Sequence, residues 1–120
     1  MTDLRTFARI ALAAALAACS APTPQQRIEQ AELNDLAALK RQYPEVVSGF
    51  DLRLKNTVIV SLDLQHYIEM DDDAVDALKR DTLARWRAAW IAQHPHAHAV
   101  LLVRFIDFIG RRVADESTKV

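Results

Sequence analysis

The chain has 120 residues, 51% of them hydrophobic, with 15 Lys and Arg against 16 Asp and Glu and a formal net charge of -1. That balance argues against a protein that grips nucleic acid through a basic face, and a single Cys excludes both an internal disulfide framework and a thiolate zinc cluster. Two Gly and four Pro exclude collagen-like and Gly/Pro-rich chains, and the length suits one domain.

The apolar residues are concentrated at the start. Arg5 and Arg9 form a short basic region, with Asp3 the only acid, and Ile10 to Ala18 is an uncharged run of Ile, Leu and Ala. A basic start, a short apolar run and small residues before a cleavage point make a secretory signal. The run is too short to span a bilayer, which takes about 20 apolar residues. It ends in Leu16-Ala17-Ala18-Cys19. These four residues resemble the lipobox of bacterial lipoproteins, and the resemblance covers residues 1–19 alone.

The resemblance implies that residues 1–18 are removed, that Cys19 carries a covalent diacylglycerol, and that its new amino group is open to acylation. Two or three acyl chains anchor firmly where one holds only marginally. In Gram-negative lipoproteins an Asp after the Cys commonly signals retention in the inner membrane. Ser20 therefore implies the periplasmic face of the outer membrane.

Without Arg5, Arg9 and Asp3 the remainder has 13 basic and 15 acidic residues, net -2. Residues 19–26, with Pro22 and Pro24 among small polar neighbours, are expected to be an extended tether. The globular part is expected over 27–113. Ile28, Ala31, Leu36 and Leu39 recur at helical spacing, with Arg27, Glu29, Glu32, Asp35 and Lys40 assigned to the solvent side. Tyr43-Pro44 ends this helix.

The period then changes to two. Phe50, Leu52 and Leu54 alternate with polar residues, and so do Val58, Val60, Leu62 and Leu64. A three-residue loop at 55–57 makes these two strands of a hairpin, with Leu54 facing Val58. One strand of some twenty residues is the less favoured alternative. Asp71-Asp72-Asp73 opens a second helix over 72–93, with Asp72 or Asp73 as its cap and His94-Pro95 as its end. Residues 98–109 form a strand apolar on both faces, hence an inner strand. The stretch 114–120 is a polar tail, free to fray or add a short edge.

The expected fold is a small α+β domain in the order α-β-β-α-β: about three mainly antiparallel strands with two helices packed on the sheet. Three of the four His lie at His94, His96 and His98, and imidazoles two residues apart on an extended segment share a side and suit Cu²⁺, Zn²⁺ or Ni²⁺. The simpler role is a polar connection. The acidic run 69–73 lacks the spacing of a calcium loop and is better explained as a helix cap. Trp86 and Trp90, four apart, are expected in the core, and Arg85, Arg87 and Arg104 in solvent. Ser61, Asp63 and His66 have the residue types of a hydrolase triad, but on one strand His66 faces away from the others.

The expectation is a non-enzymatic module with no cofactor beyond the lipid on Cys19. Its partners are the membrane and an envelope protein, with a role in envelope assembly or secretion. Metal binding through His94, His96 and His98 is the alternative, and a small hydrolase the remoter one.

Overall fold

A computed structural model describes residues 21–120. The signal segment, Cys19 and Ser20 lie outside the described residues. The elements are α1 (Pro24–Gln42), β1 (Val47–Arg53), β2 (Thr57–Leu62), α2 (Leu64–Glu69), α3 (Asp72–Gln93), β3 (Val100–Ile106) and β4 (Arg112–Lys119). No helix among the described residues is long and apolar enough to cross a membrane.

The α+β class is found, with three corrections. The sheet has four strands in the order β1-β2-β3-β4, and three helices accompany it. Its pairing is mixed: β1 with β2 and β3 with β4 are antiparallel, whereas β2 runs parallel to β3. Parallel neighbours need a long crossover, and α2 with α3 supplies it. β3 is an inner strand, as its two apolar faces require.

The polar tail proposed for 114–120 is most of β4, so the ordered domain continues past 113. Backbone hydrogen bonds to β3 fix this strand and do not depend on apolar side chains. Ala114, Glu116 and Thr118 turn toward the helices, opposite Phe105, Val103 and Leu101, and Val113 at the register shift also packs on the core. An edge strand rich in charge is a common device against unwanted pairing.

The tether is also shorter than expected. Thr23 caps α1, accepting from Gln26 N at 3.2 Å while the Gln26 side chain accepts from Thr23 N at 2.8 Å. Pro24 sits at the start of the helix, where its missing N–H costs nothing. Residues 24–26 are therefore helical.

The hairpin is present, with its turn one residue earlier. Leu52, not Leu54, pairs with Val58, and Leu54, Lys55 and Asn56 make the loop. Leu54 (φ 54°) and Lys55 (φ 68°) both lie in the left-handed region. Strand β2 stops at Leu62 because Asp63 caps α2, accepting from His66 N at 3.0 Å. Period-two alternation ran on through Leu64 and concealed this helix. Asp71 rather than Asp72 or Asp73 caps α3, accepting from Ala74 N at 2.7 Å.

The core lies between one sheet face and the helices. Val58, Val60, Leu101, Val103 and Phe105 meet Leu36, Leu78, Trp86, Ala89 and Trp90, all buried. The two Trp are core residues, as expected. Helix α1 packs on α3 and β1, and α3 packs on β3 and β4. Gln42 and Tyr43 hydrogen-bond Asp81, whereas Asn34 and Asp35 lie beside Ala88 and Ala89. The two helices are thus antiparallel, and α1 begins near the end of α3. Among the described residues no helix packs on the opposite sheet face.

Candidate functional site

The strand register lays out the uncovered face in rows. Arg53, Thr57, Leu102 and Ser117 form one row, and Asp51, Ile59, Arg104 and Asp115 form the next. Ile59 and Leu102 run down the middle, and charges flank them. Arg53 pairs with Asp51 at 2.7 Å and Arg104 with Asp115 at 3.0 Å. A hollow of about 400 Å³ opens there, bounded by Leu54, Ile59, Leu102 and Arg104.

Each end of the sheet displays apolar side chains. At one end Leu54 is 89% exposed, beside the half-exposed Val100. At the other end Phe108 is 85% exposed and Ile109 63%, and Ile68 of α2 is also open to solvent. Phe108 borders Leu62, Asp63 and Leu64, which places the β3–β4 turn beside α2.

The Phe108 turn is held firmly. Asp107 is only 3% exposed. Its Oδ1 accepts from Ile109 N (3.0 Å) and Arg111 N (2.9 Å), and its Oδ2 accepts from Arg111 Nε at 2.7 Å. Burial pushes the Asp107 carboxyl up, but the bonds from Arg111 and Ile109 outweigh it and hold the group below its ordinary value. Gly110 supplies the positive φ of 90° that closes the turn. Two large apolar side chains are thus fixed in water by a buried carboxylate.

Beside this turn, His66 Nδ1 meets Asp63 Oδ1 at 2.9 Å and its Nε2 stands 4.0 Å from Glu45. The hydrogen bond to Asp63 raises the His66 pKa, and the bonds from His66 lower that of Asp63. The strand geometry expected at 58–65 had separated these two residues; the helix cap joins them. Ser61 is not part of the pair, and its backbone carbonyl accepts from Ser48 Oγ at 3.0 Å. Among the described residues no serine hydroxyl hydrogen-bonds His66, so the geometry offers a capping pair and not a nucleophile with its base.

The three His proposed as metal ligands are spread along one connection. His94 donates from Nδ1 to Trp90 O at 2.9 Å and stacks on the Trp90 ring, with centroids 4.4 Å apart. His98 donates from Nδ1 to Val120 O at 3.2 Å, and His96 is exposed. Among the described residues no three His, Cys, Asp or Glu side chains are grouped to hold a metal. Arg85 and Arg87 are solvent-exposed, and Arg104 is committed to Asp115.

One residue was misplaced by the sequence pattern. Glu32, assigned to the solvent side of α1, is 2% exposed, and its Oε2 has no hydrogen-bond partner among the described residues. Burial, with a smaller push from Glu29, raises its pKa from 4.5 to about 7. The signal was available: Glu32, Leu36 and Leu39 share the i, i+4, i+7 spacing of one helix face.

No family model, no curated protein and no solved structure matches this chain.

Proposed function

We propose that the chain is a lipid-anchored protein of the bacterial cell envelope, attached through Cys19 to the periplasmic face of the outer membrane. Its globular part is a non-enzymatic docking module for another envelope protein. The observation that carries this reading is the Asp107-clamped turn. Exposing Phe108 and Ile109 is unfavourable for a monomer, and a rigid, desolvatable aromatic is the usual anchor of a protein interface. Preorganisation by Asp107 lowers the ordering cost on binding. The sheet adds two edge strands, β1 and β4, to which a partner strand could be added.

The test is a photo-crosslinking amino acid at position 108 of the full chain in living cells. A single discrete adduct, absent when the same probe sits at position 54 and lost on Ile109→Asp, is the expected result. Normal accumulation of the chain with no adduct from position 108 would contradict the docking role.

A further inference from the structure

We propose that the end of the domain bearing the Leu54–Asn56 turn, with the adjoining part of the uncovered sheet face, rests on the lipid headgroups of the bilayer that holds the anchor. The inference rests on the reading of Cys19 as a lipidated residue. It deepens that reading by fixing which way the domain stands.

Three observations converge on it. The first is the position of the tether. Four residues separate Cys19 from Pro24, so five residue steps give at most about 17 Å of extended chain. Pro24 begins α1 at the end of the domain where α3 finishes. The connection after α3 returns at Val100, whose carbonyl oxygen accepts from Asn56 Nδ2 at 3.0 Å. Leu102 N also donates to Asn56 O, at 3.0 Å. The Leu54–Asn56 turn therefore lies at the end of the domain nearest the anchor, and the Phe108 turn at the far end.

The second is charge. Arg53, Lys55, Arg104 and Lys119 lie on the turn and the adjoining face, against Asp51 and Asp115, for a net of +2. The described residues together carry -2, so everything else carries -4. A net-basic surface thus lies toward the tether, as attraction to anionic headgroups requires.

The third is the turn itself. Leu54 is almost wholly exposed and sits in the left-handed region, where a branched residue is strained and Gly or Asn is usual. Neither packing nor conformational ease accounts for a leucine there. A leucine at a tip beside Lys55, next to Val100 and Leu102, has the make-up of an interfacial contact: apolar tip, basic flank. Such a contact is weak alone. The tether keeps the surface at high effective concentration, so a weak contact suffices to orient the domain.

The experiment uses the full lipidated chain in vesicles of phosphatidylethanolamine with phosphatidylglycerol. Cys19 is blocked as a thioether, so Leu54→Cys, or Lys55→Cys as a second variant, offers one free thiol for an environment-sensitive fluorophore. Phe108→Cys labels the far end. The expected result is a blue-shifted label at position 54, quenched several-fold more than the label at 108 by spin-labelled lipids, and less so in phosphatidylcholine alone. Flotation with the vesicles while the label at 54 stays in water overturns the inference and leaves the anchor intact. So does equal or stronger quenching at 108. Shielding at 54 in cell envelopes but not in pure vesicles assigns the surface to a protein and overturns it too. A chain that does not float, with Cys19 reactive as a thiol, overturns the anchor and the inference together.

Discussion

Trp86 donates its indole N–H to the backbone oxygen of Asn56 at 3.2 Å. A fully buried core residue thereby holds the turn that presents Leu54. The turn's strained backbone is supported from beneath, which is the condition for such strain to persist. Trp86→Phe removes the donor and part of the packing. It is expected to destabilise the fold by about 2–3 kcal/mol in urea unfolding, and to raise the mobility of a spin label at position 55. Rigid labels there in the variant would separate the turn from the core.

Leu54→Asn tests the strain directly. Asn tolerates the left-handed region at smaller cost, and Leu54 has little packing to lose. The variant is expected to gain about 1 kcal/mol of stability while losing contact with anionic vesicles. A gain in stability with unchanged lipid contact would leave the leucine without a role at the membrane.

Glu32 gives a pH dependence of definite sign. The folded state holds a proton on Glu32 up to about pH 7, whereas the unfolded chain releases it near 4.5. Between those values the folded state binds more protons, so stability falls as pH rises, by up to about 3 kcal/mol across the window. Above pH 7 this contribution is flat. Urea unfolding of wild type and Glu32→Gln at pH 5 and pH 8 checks it: the variant should lose most of the slope and be the more stable protein at pH 8. Parallel curves for the two would place Glu32 in solvent.

Asp107→Ala should release the Phe108 turn without removing an apolar side chain. The expected outcome is a lower Tm, faster hydrogen exchange at Ile109 and Arg111, and a weaker crosslink from position 108. Since hydrogen bonds hold the Asp107 pKa down, its contribution is present above the ordinary carboxylate range and is lost as pH falls through its lowered value. Unchanged exchange at both amides would show that Gly110 and Arg111 close the turn without it.

Calorimetry with Zn²⁺ and Cu²⁺ bears on the histidines. His94 is engaged with Trp90 and His98 with Val120 O, so only weak binding is expected, little altered by His96→Ala or His98→Ala. Tight binding abolished by either substitution would favour the metal-binding alternative.

The sequence was most legible where side chains face one core. The stripes of α1 and α3, the Val58–Val60–Leu62 alternation and the inner position of β3 all follow from apolar spacing. It was least legible where backbone hydrogen bonds alone decide. β4 shows almost no apolar pattern because it lies at an edge, and α2 was masked by alternation that Asp63 terminates. Glu32 was misassigned because charge was allowed to override spacing. The Asp107 turn left only a faint trace, an Asp followed three residues later by Gly110, and nothing in the pattern announced that Phe108 and Ile109 would stay in water. The resemblance of Leu16-Ala17-Ala18-Cys19 to a lipobox is read from contiguous residues alone and lies outside the described residues.

Mass spectrometry of the N-terminal peptide from the membrane-extracted protein is the direct test of the anchor at Cys19. The expected result is a chain beginning at Cys19 with diacylglycerol on its sulfur. A chain that keeps Met1, or one cut elsewhere with Cys19 as a free thiol, would contradict it.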